Sequence, residues 1–162
     1  MSHAENPFGN DADRHAIWDM LVTRDIAAFV AADWSMVAGD FDEPRFLGIH
    51  AHNSPNPDEW NAAFPTLAEY KAEWLRQAHE TAAVKFAEPL AAGIHRATSL
   101  TEIDITGDVA LARKKFDGRI AKADGSFDVL NWQTLYFCRK VEGVWKLTGF
   151  AGYLPYPMGA AT

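Results

Sequence analysis

Proton chemistry needs groups that can take up or give off a proton, and this sequence gathers several between residues 33 and 60. Asp40 stands between Gly39 and Phe41 in a run that also holds Asp42 and Glu43. Set against apolar walls, a carboxylate has its neutral form favoured and can take a proton from carbon or from water. On an acidic loop the same side chain is simply solvated. Asp40 is one candidate for catalysis and His50 is the other. His50 and His52 are spaced i, i+2, which on a strand turns both rings to one side. One of them can serve as an acid/base partner for Asp40 and the other can contact a substrate. Together they reach one metal ion only with a third ligand drawn from His79, His95, Asp40 or Glu59, so no metal and no cofactor is expected.

Aromatic and amide side chains supply the walls such chemistry needs. Trp34 and Trp60 flank loops, while Trp132 and Tyr136 alternate along one strand with Asn131 and Gln133 between and before them. Trp34, His52, Trp60, Asn131, Trp132 and Tyr136 are the candidates for contacting a small ligand, and each aromatic is also at home in a core. Cys138 lies mid-strand, where its neighbour Arg139 points the other way, and reads as a buried, unreactive thiol. Lys114 and Lys115 read as paired solubilising charges on opposite faces. No glycine-rich phosphate loop, nucleophilic serine signature or zinc cysteine set occurs.

These residues must be positioned by a single core. The chain has 162 residues, 48% of them hydrophobic, enough for one domain and short for two. Its formal net charge is −7, which disfavours nucleic acid and anionic membrane surfaces as partners. With one cysteine, no leader-like start and no apolar run of membrane-spanning length, a cytoplasmic protein is expected. Residues 1–10 read as a flexible lead-in, 11–154 as the domain and 155–162 as a tail.

The first helix starts at Asn10 or Asp11, with Ile17, Met20 and Leu21 as its apolar stripe. Thr23-Arg24-Asp25 interrupts the stripe, and Thr23 or Asp25 caps a second short helix. Residues 34–45 form a loop, 46–52 a strand, and 53–65 a proline-rich loop. Thr66 to Glu69 is a capping box that opens a long helix ending before Pro89. After it, glycine-bearing turns at Gly107, Gly125 and Gly143 separate strands near 95–105, 109–121, 127–141 and 144–154. Strands this long bend and carry bulges. On 131–141 the face holding Trp132, Tyr136 and Cys138 is assigned inward. On 145–154 the face of Trp145, Leu147, Ala151 and Tyr153 alternates with that of Lys146, Thr148, Phe150 and Leu154. Both sheet faces carry large apolar groups, so the outer one is expected to pair with a second copy.

The order of two helices, a strand, a long helix and a four-stranded meander resembles the nuclear transport factor 2-like superfamily, the group of SnoaL-type cyclases, ketosteroid isomerase, scytalone dehydratase and limonene epoxide hydrolase. The segments ArgAspIleAlaAlaPhe at 24–29, AspTrpSerMetValAlaGlyAspPhe at 33–41 and GluGlyValTrpLysLeu at 142–147 carry the resemblance. It implies an α+β, cystatin-like cone: three helices on a strongly curved, mostly antiparallel sheet, in the order α-α-β-α-β-β-β-β. It also implies a pocket at the open end of the cone, used for cofactor-free isomerisation, dehydration, cyclisation or hydrolysis, or for binding alone. Asp40 falls near the general-base position of the isomerase-like members. The sequence differs from them in the spacing after Val37, in lacking a tyrosine on the first helix, and in having Asn131 and Gln133 where they carry an acid.

Overall fold

The computed structural model describes residues 5–159. Asp11 caps the first helix, α1 (Ala12–Trp18), by accepting the Arg14 N–H. The chain does not stop at the polar triplet. It passes through a π turn (Asp19–Arg24) straight into α2 (Asp25–Ala31), all in right-handed helical geometry. The expected break at Thr23-Arg24-Asp25 is therefore a widened helical turn, and neither Thr23 nor Asp25 caps anything. Three short 3₁₀ turns lead to β1 (Leu47–His50). The expected proline-rich loop contains a strand, β2 (Asn61–Phe64), which pairs antiparallel with β1.

Thr66 accepts the Glu69 N–H at 3.3 Å and starts α3 (Leu67–Ala82), which is the threonine half of the expected capping box. Pro89 then fixes the entry to a further helix, α4 (Leu90–Ala97), whose last residues were expected to begin a strand. The meander follows as β3 (Thr98–Thr106), β4 (Val109–Ala121), β5 (Phe127–Val141) and β6 (Val144–Leu154). Turns therefore fall at all three expected glycines. The six strands form one sheet in the order β2-β1-β6-β5-β4-β3, antiparallel except where β1 runs parallel to β6. This is the expected α+β class, with β2 and α4 added.

The inner face of the sheet packs on α1, the π turn, α2 and α4, with Ile17, Leu21, Ile26, Ile94, Ile103 and Ile120 among the buried residues. Register identifies that face. Ala110 lies opposite Cys138, Ala112 opposite Tyr136, Lys114 opposite Thr134 and Phe116 opposite Trp132. The Cys138 face of β5 thus points inward as assigned. On β6 two bulges change the phase. Phe137 pairs with Gly149 while Cys138 pairs with Leu147, so Thr148 is skipped and Phe150 turns inward. A second shift between Gln133 and Leu135 brings Gly152 and Tyr153 to the inner side and puts Ala151 opposite Leu135, outside. The simple alternation expected for 145–154 fails at these two places.

Both ends of the domain are tied to it. Asn6 donates to the His15 carbonyl and Phe8 packs on the core, so the lead-in is anchored from Asn6 onward. Pro155 is buried and its carbonyl accepts from Gln133. The remainder of the lead-in and of the tail, residues 1–4 and 160–162, lies outside the described residues. Among the described residues no helix is long and apolar enough to cross a membrane.

Gly149 makes the first bulge possible. A Cβ built there would overlap the Leu47 carbonyl oxygen across the β1–β6 pairing. Gly149→Ala should therefore loosen β1 from β6 and lower stability by at least about 1–3 kcal/mol, the usual cost of forcing extra atoms into a packed site. Urea denaturation reads the loss, and hydrogen exchange should show β1 and β2 opening first.

Candidate functional site

The helices and the inner sheet face enclose a cavity of about 220 Å³. Its walls are mostly apolar, with aromatic rings beside the aliphatic Ile26, Leu90, Ile94, Ile120 and Leu130. Phe29 comes from α2, Tyr70 and Trp74 from α3, Phe116 from β4, Trp132 and Tyr136 from β5, and Phe150 and Tyr153 from β6. Phe116 and Trp132 lie 4.5 Å apart, and Tyr70 and Phe150 4.8 Å apart, between ring centroids. Polar groups are few: Asp25 from α2, Gln77 and Thr81 from α3, Thr134 and Asp128 from β5.

Asp25 stands where this cavity meets a smaller one of about 10 Å³, and Tyr70 and Tyr136 line both. The three side chains form a partition between the two spaces. Behind Asp25 lies Lys114, whose side chain is only 1% exposed although it sits mid-strand on the inner face. Its ammonium donates to the Leu21 carbonyl in the π turn and to Asp25 Oδ2 at 3.2 Å. It also lies 5.1 Å from the centre of the Phe116 ring and 5.9 Å from that of Tyr136. A buried lysine is tolerated only when such partners replace its water. The reading of Lys114 as a solubilising charge is thus corrected: strand alternation put it on the same side as Phe116, and only Lys115 turns outward, to Glu102.

Burial pushes the Tyr70 and Tyr136 hydroxyls well above the ordinary phenol range, and the nearby Asp25 charge adds to this. Both therefore remain protonated and can only donate toward an anion in the cavity. Burial also raises Tyr153, partly opposed by its hydrogen bond with Gln77 at 2.9 Å. Cys138 is pushed up to about 12 by burial, which keeps it a thiol at neutral pH and agrees with its reading as unreactive.

Of the candidates read from the sequence, the cavity gathers Trp132 and Tyr136. Asp40 lies on the smaller cavity, with its two oxygens on Arg24 at 3.0 and 3.1 Å. Trp34 is buried in a cluster with Trp74 and Phe41, stacked on Phe41 at 5.1 Å, one layer outside the cavity wall. Trp60 donates its indole N–H to the Ser54 carbonyl in the loop before β2. Asn131 is exposed on the outer face beside Asp117. His50 ends β1, and its ring is stacked between His52 at 4.2 Å and Tyr153 at 4.4 Å. His52 itself has left the strand, with φ 53°, and its ring bonds Asn61. The two rings do meet, but through a stack beyond the strand end. Among the described residues no three His, Cys, Asp or Glu side chains stand together to hold a metal.

Asp25, expected as a helix cap, and Lys114, expected as a solubilising charge, are instead site residues. Their signals were present: a polar triplet inside an apolar helical stripe, and a lysine at an inward position of an alternating strand. What was missing was the pairing of two residues 89 positions apart.

Burial and the neighbouring His52 lower the pKa of His50 below the ordinary 6.5. The unfolded chain then binds the proton more tightly than the folded one, so stability is lost as pH falls through about 6.5 and levels off below the folded value. Denaturation midpoints should therefore drop between pH 7 and pH 5, and His50→Gln should make that drop smaller.

No protein-family profile matches the chain, and no curated protein does. Solved structures do. An NTF2-like protein of unknown function from Shewanella baltica OS155 is 15% identical, with 88% of this chain and 94% of that chain covered and a TM-score of 0.55. Another of unknown function, from Pseudomonas putida KT2440, is 16% identical over 93% and 94%, with a TM-score of 0.56. A structure from Streptomyces avermitilis in the NTF2-like family, provisionally named a dehydratase, is 12% identical over 90% and 96%, with a TM-score of 0.57.

Proposed function

We propose that this chain, whose fold is the nuclear transport factor 2-like α+β cone, takes a small, flat, largely apolar molecule into the aromatic cavity and moves a proton on it without a cofactor. The observation that carries the reading is Asp25. It is the one carboxylate at the inner end of the cavity, and Lys114 holds one of its oxygens while the other is left for a ligand. Asp25 is assigned the role of base, and the Tyr70 and Tyr136 hydroxyls that of donors to the oxygen on which charge develops. Isomerisation, dehydration, cyclisation and hydrolysis all fit such a set. The surrounding rings supply the binding area and keep water out, which strengthens each polar contact inside.

The assignment moves the base from Asp40 to Asp25. Asp40 keeps a place one step removed, on the small cavity behind the partition, where Arg24 fixes it. His50 touches the site through Tyr153, which lines the cavity. The alternative is binding without turnover. It has in its favour that the other acid among the described lining residues, Asp128, pairs with Ile120, well along β4 from Lys114, the partner of Asp25. The buried thiol and the acidic net charge suit a reducing, cytoplasmic setting.

The outer sheet face is assigned to a second copy of the chain. Pairing register places Leu47, Val109, Phe137 and Val144 on that face, exposed by 43, 38, 39 and 55%. Apolar groups grouped on one sheet face are what a two-fold interface covers.

Two outcomes are expected. On a substrate identified by screening small aromatic carbonyl and hydroxyl compounds, Asp25→Asn should lower kcat by roughly 10²–10⁴ with KM changed only a few-fold. Unchanged turnover removes Asp25 as base, and binding with no turnover by the unaltered chain selects the binding-only alternative. In sedimentation at micromolar concentration the chain should run as a dimer and Phe137→Glu as a folded monomer; a monomeric unaltered chain overturns the pairing.

A further inference from the structure

The charges that face the cavity are all of one sign. Among the described residues Asp25 and Asp128 are the carboxylates of the lining, and no lysine, arginine or histidine shares it. The nearest cation, Lys114, is committed to the Leu21 carbonyl and to Asp25, so the inner end of the cavity is already a neutralised pair. The outer end is not. Asp128 precedes Tyr136 by eight residues on the inner face of β5, opposite Ile120 and close to the turn at Gly125, where the strand end is part-exposed. The Asp128 carboxylate is half-buried, and among the described residues it has no hydrogen bond and no ion pair. Between the two ends Phe116 and Trp132 stand among aliphatic residues, and aromatic rings attract cations through their quadrupoles. With a net charge of −7, the surrounding field works in the same direction.

On the reading that the cavity binds a flat apolar molecule, we propose that this ligand carries a basic nitrogen, cationic at neutral pH, which pairs with Asp128 at the mouth, and that it bears no carboxylate or phosphate. The aromatic body then lies along Trp132 and Phe116, and an uncharged polar end meets Asp25 and the two phenols. Anionic aromatics are excluded for a physical reason. Entering the cavity strips their hydration, and no donor cation stands inside to replace it. The volume of about 220 Å³ is below the roughly 300–1,000 Å³ usual for drug-sized ligands, so a one- or two-ring molecule is the expected size.

A matched trio tests this: 4-phenylbenzylamine, 4-phenylbenzyl alcohol and biphenyl-4-carboxylate, titrated into the full chain and followed by calorimetry, with amide chemical shifts locating the bound molecule. The amine should bind tightest, at least about tenfold above the carboxylate at low salt. That preference should shrink between about 0.02 M and about 0.5 M salt, where the screening length falls severalfold. In Asp128→Asn the amine should bind no better than the alcohol, while the alcohol keeps its affinity. If the carboxylate binds as well as the amine, or the amine keeps its advantage in Asp128→Asn, the basic-nitrogen proposal is overturned and the cavity reading stands. If none of the three shifts the cavity residues, the cavity reading fails and the proposal goes with it.

Discussion

The ion pair of one buried lysine organises this molecule. Lys114 projects from the middle of the inner sheet face into a space where a charge is costly, and it is held there by a helical carbonyl and a helical carboxylate. Both partners come from the first helical run, one from the π turn and the other from the first residue of α2. A π turn widens the helix locally and often marks a functional place. Here it presents the Leu21 carbonyl to the ammonium. The pair therefore pins the helix against β4 at a fixed height, which a purely apolar contact would not do, since apolar contacts are not directional. It also fixes the orientation of the one carboxylate at the inner end of the cavity.

The rest of the site follows from how the sheet bends. β4 and β5 run in unbroken register over thirteen pairs, from Val109 with Arg139 to Ala121 with Phe127, and supply a regular row of inward side chains. β6 has two bulges against β5, and these turn Phe150, Gly152 and Tyr153 inward on a stretch where strict alternation would have sent Phe150 out. The bulges add curvature and at the same time exchange a core face for a cavity wall. Tyr153 takes a positive φ of 60° there, with its ring against His50 and its hydroxyl on Gln77. A non-glycine residue held in that region costs free energy, and such residues gather at ligand sites.

The aromatic residues divide by depth. Trp34, Phe41 and Phe46 pack behind the cavity and hold α3 to the segment before β1, while Tyr70, Trp74 and Phe150 face both the packing and the space. Because the same column of rings supports the core and lines the cavity, the wall is rigid, and its few polar groups are held in fixed places. That is the arrangement on which preorganised binding depends.

Much of this was legible in the residues themselves. Caps at Asp11 and Thr66, the turns at Gly107, Gly125 and Gly143, and the inward face of Trp132, Tyr136 and Cys138 are local matters, decided by side-chain hydrogen bonds, backbone freedom and the two-residue period of a strand. Composition bounded the partners, and the element order carried the resemblance to the cone. Three things lay beyond it. The helix α3 stops at Ala82, well before Pro89, and Pro89 instead opens α4, which packs Gly93 closely on Ile120 and buries Ile94 and Ala97 in the core. The phase of β6 depends on bulges whose position is set by its neighbours. The pairing of Asp25 with Lys114 depends on a contact across most of the chain. Periodicity said that Lys114 faces inward and composition said that lysines face water. The tertiary structure decided between them, because only there does the π turn bring a carbonyl and a carboxylate to meet the charge.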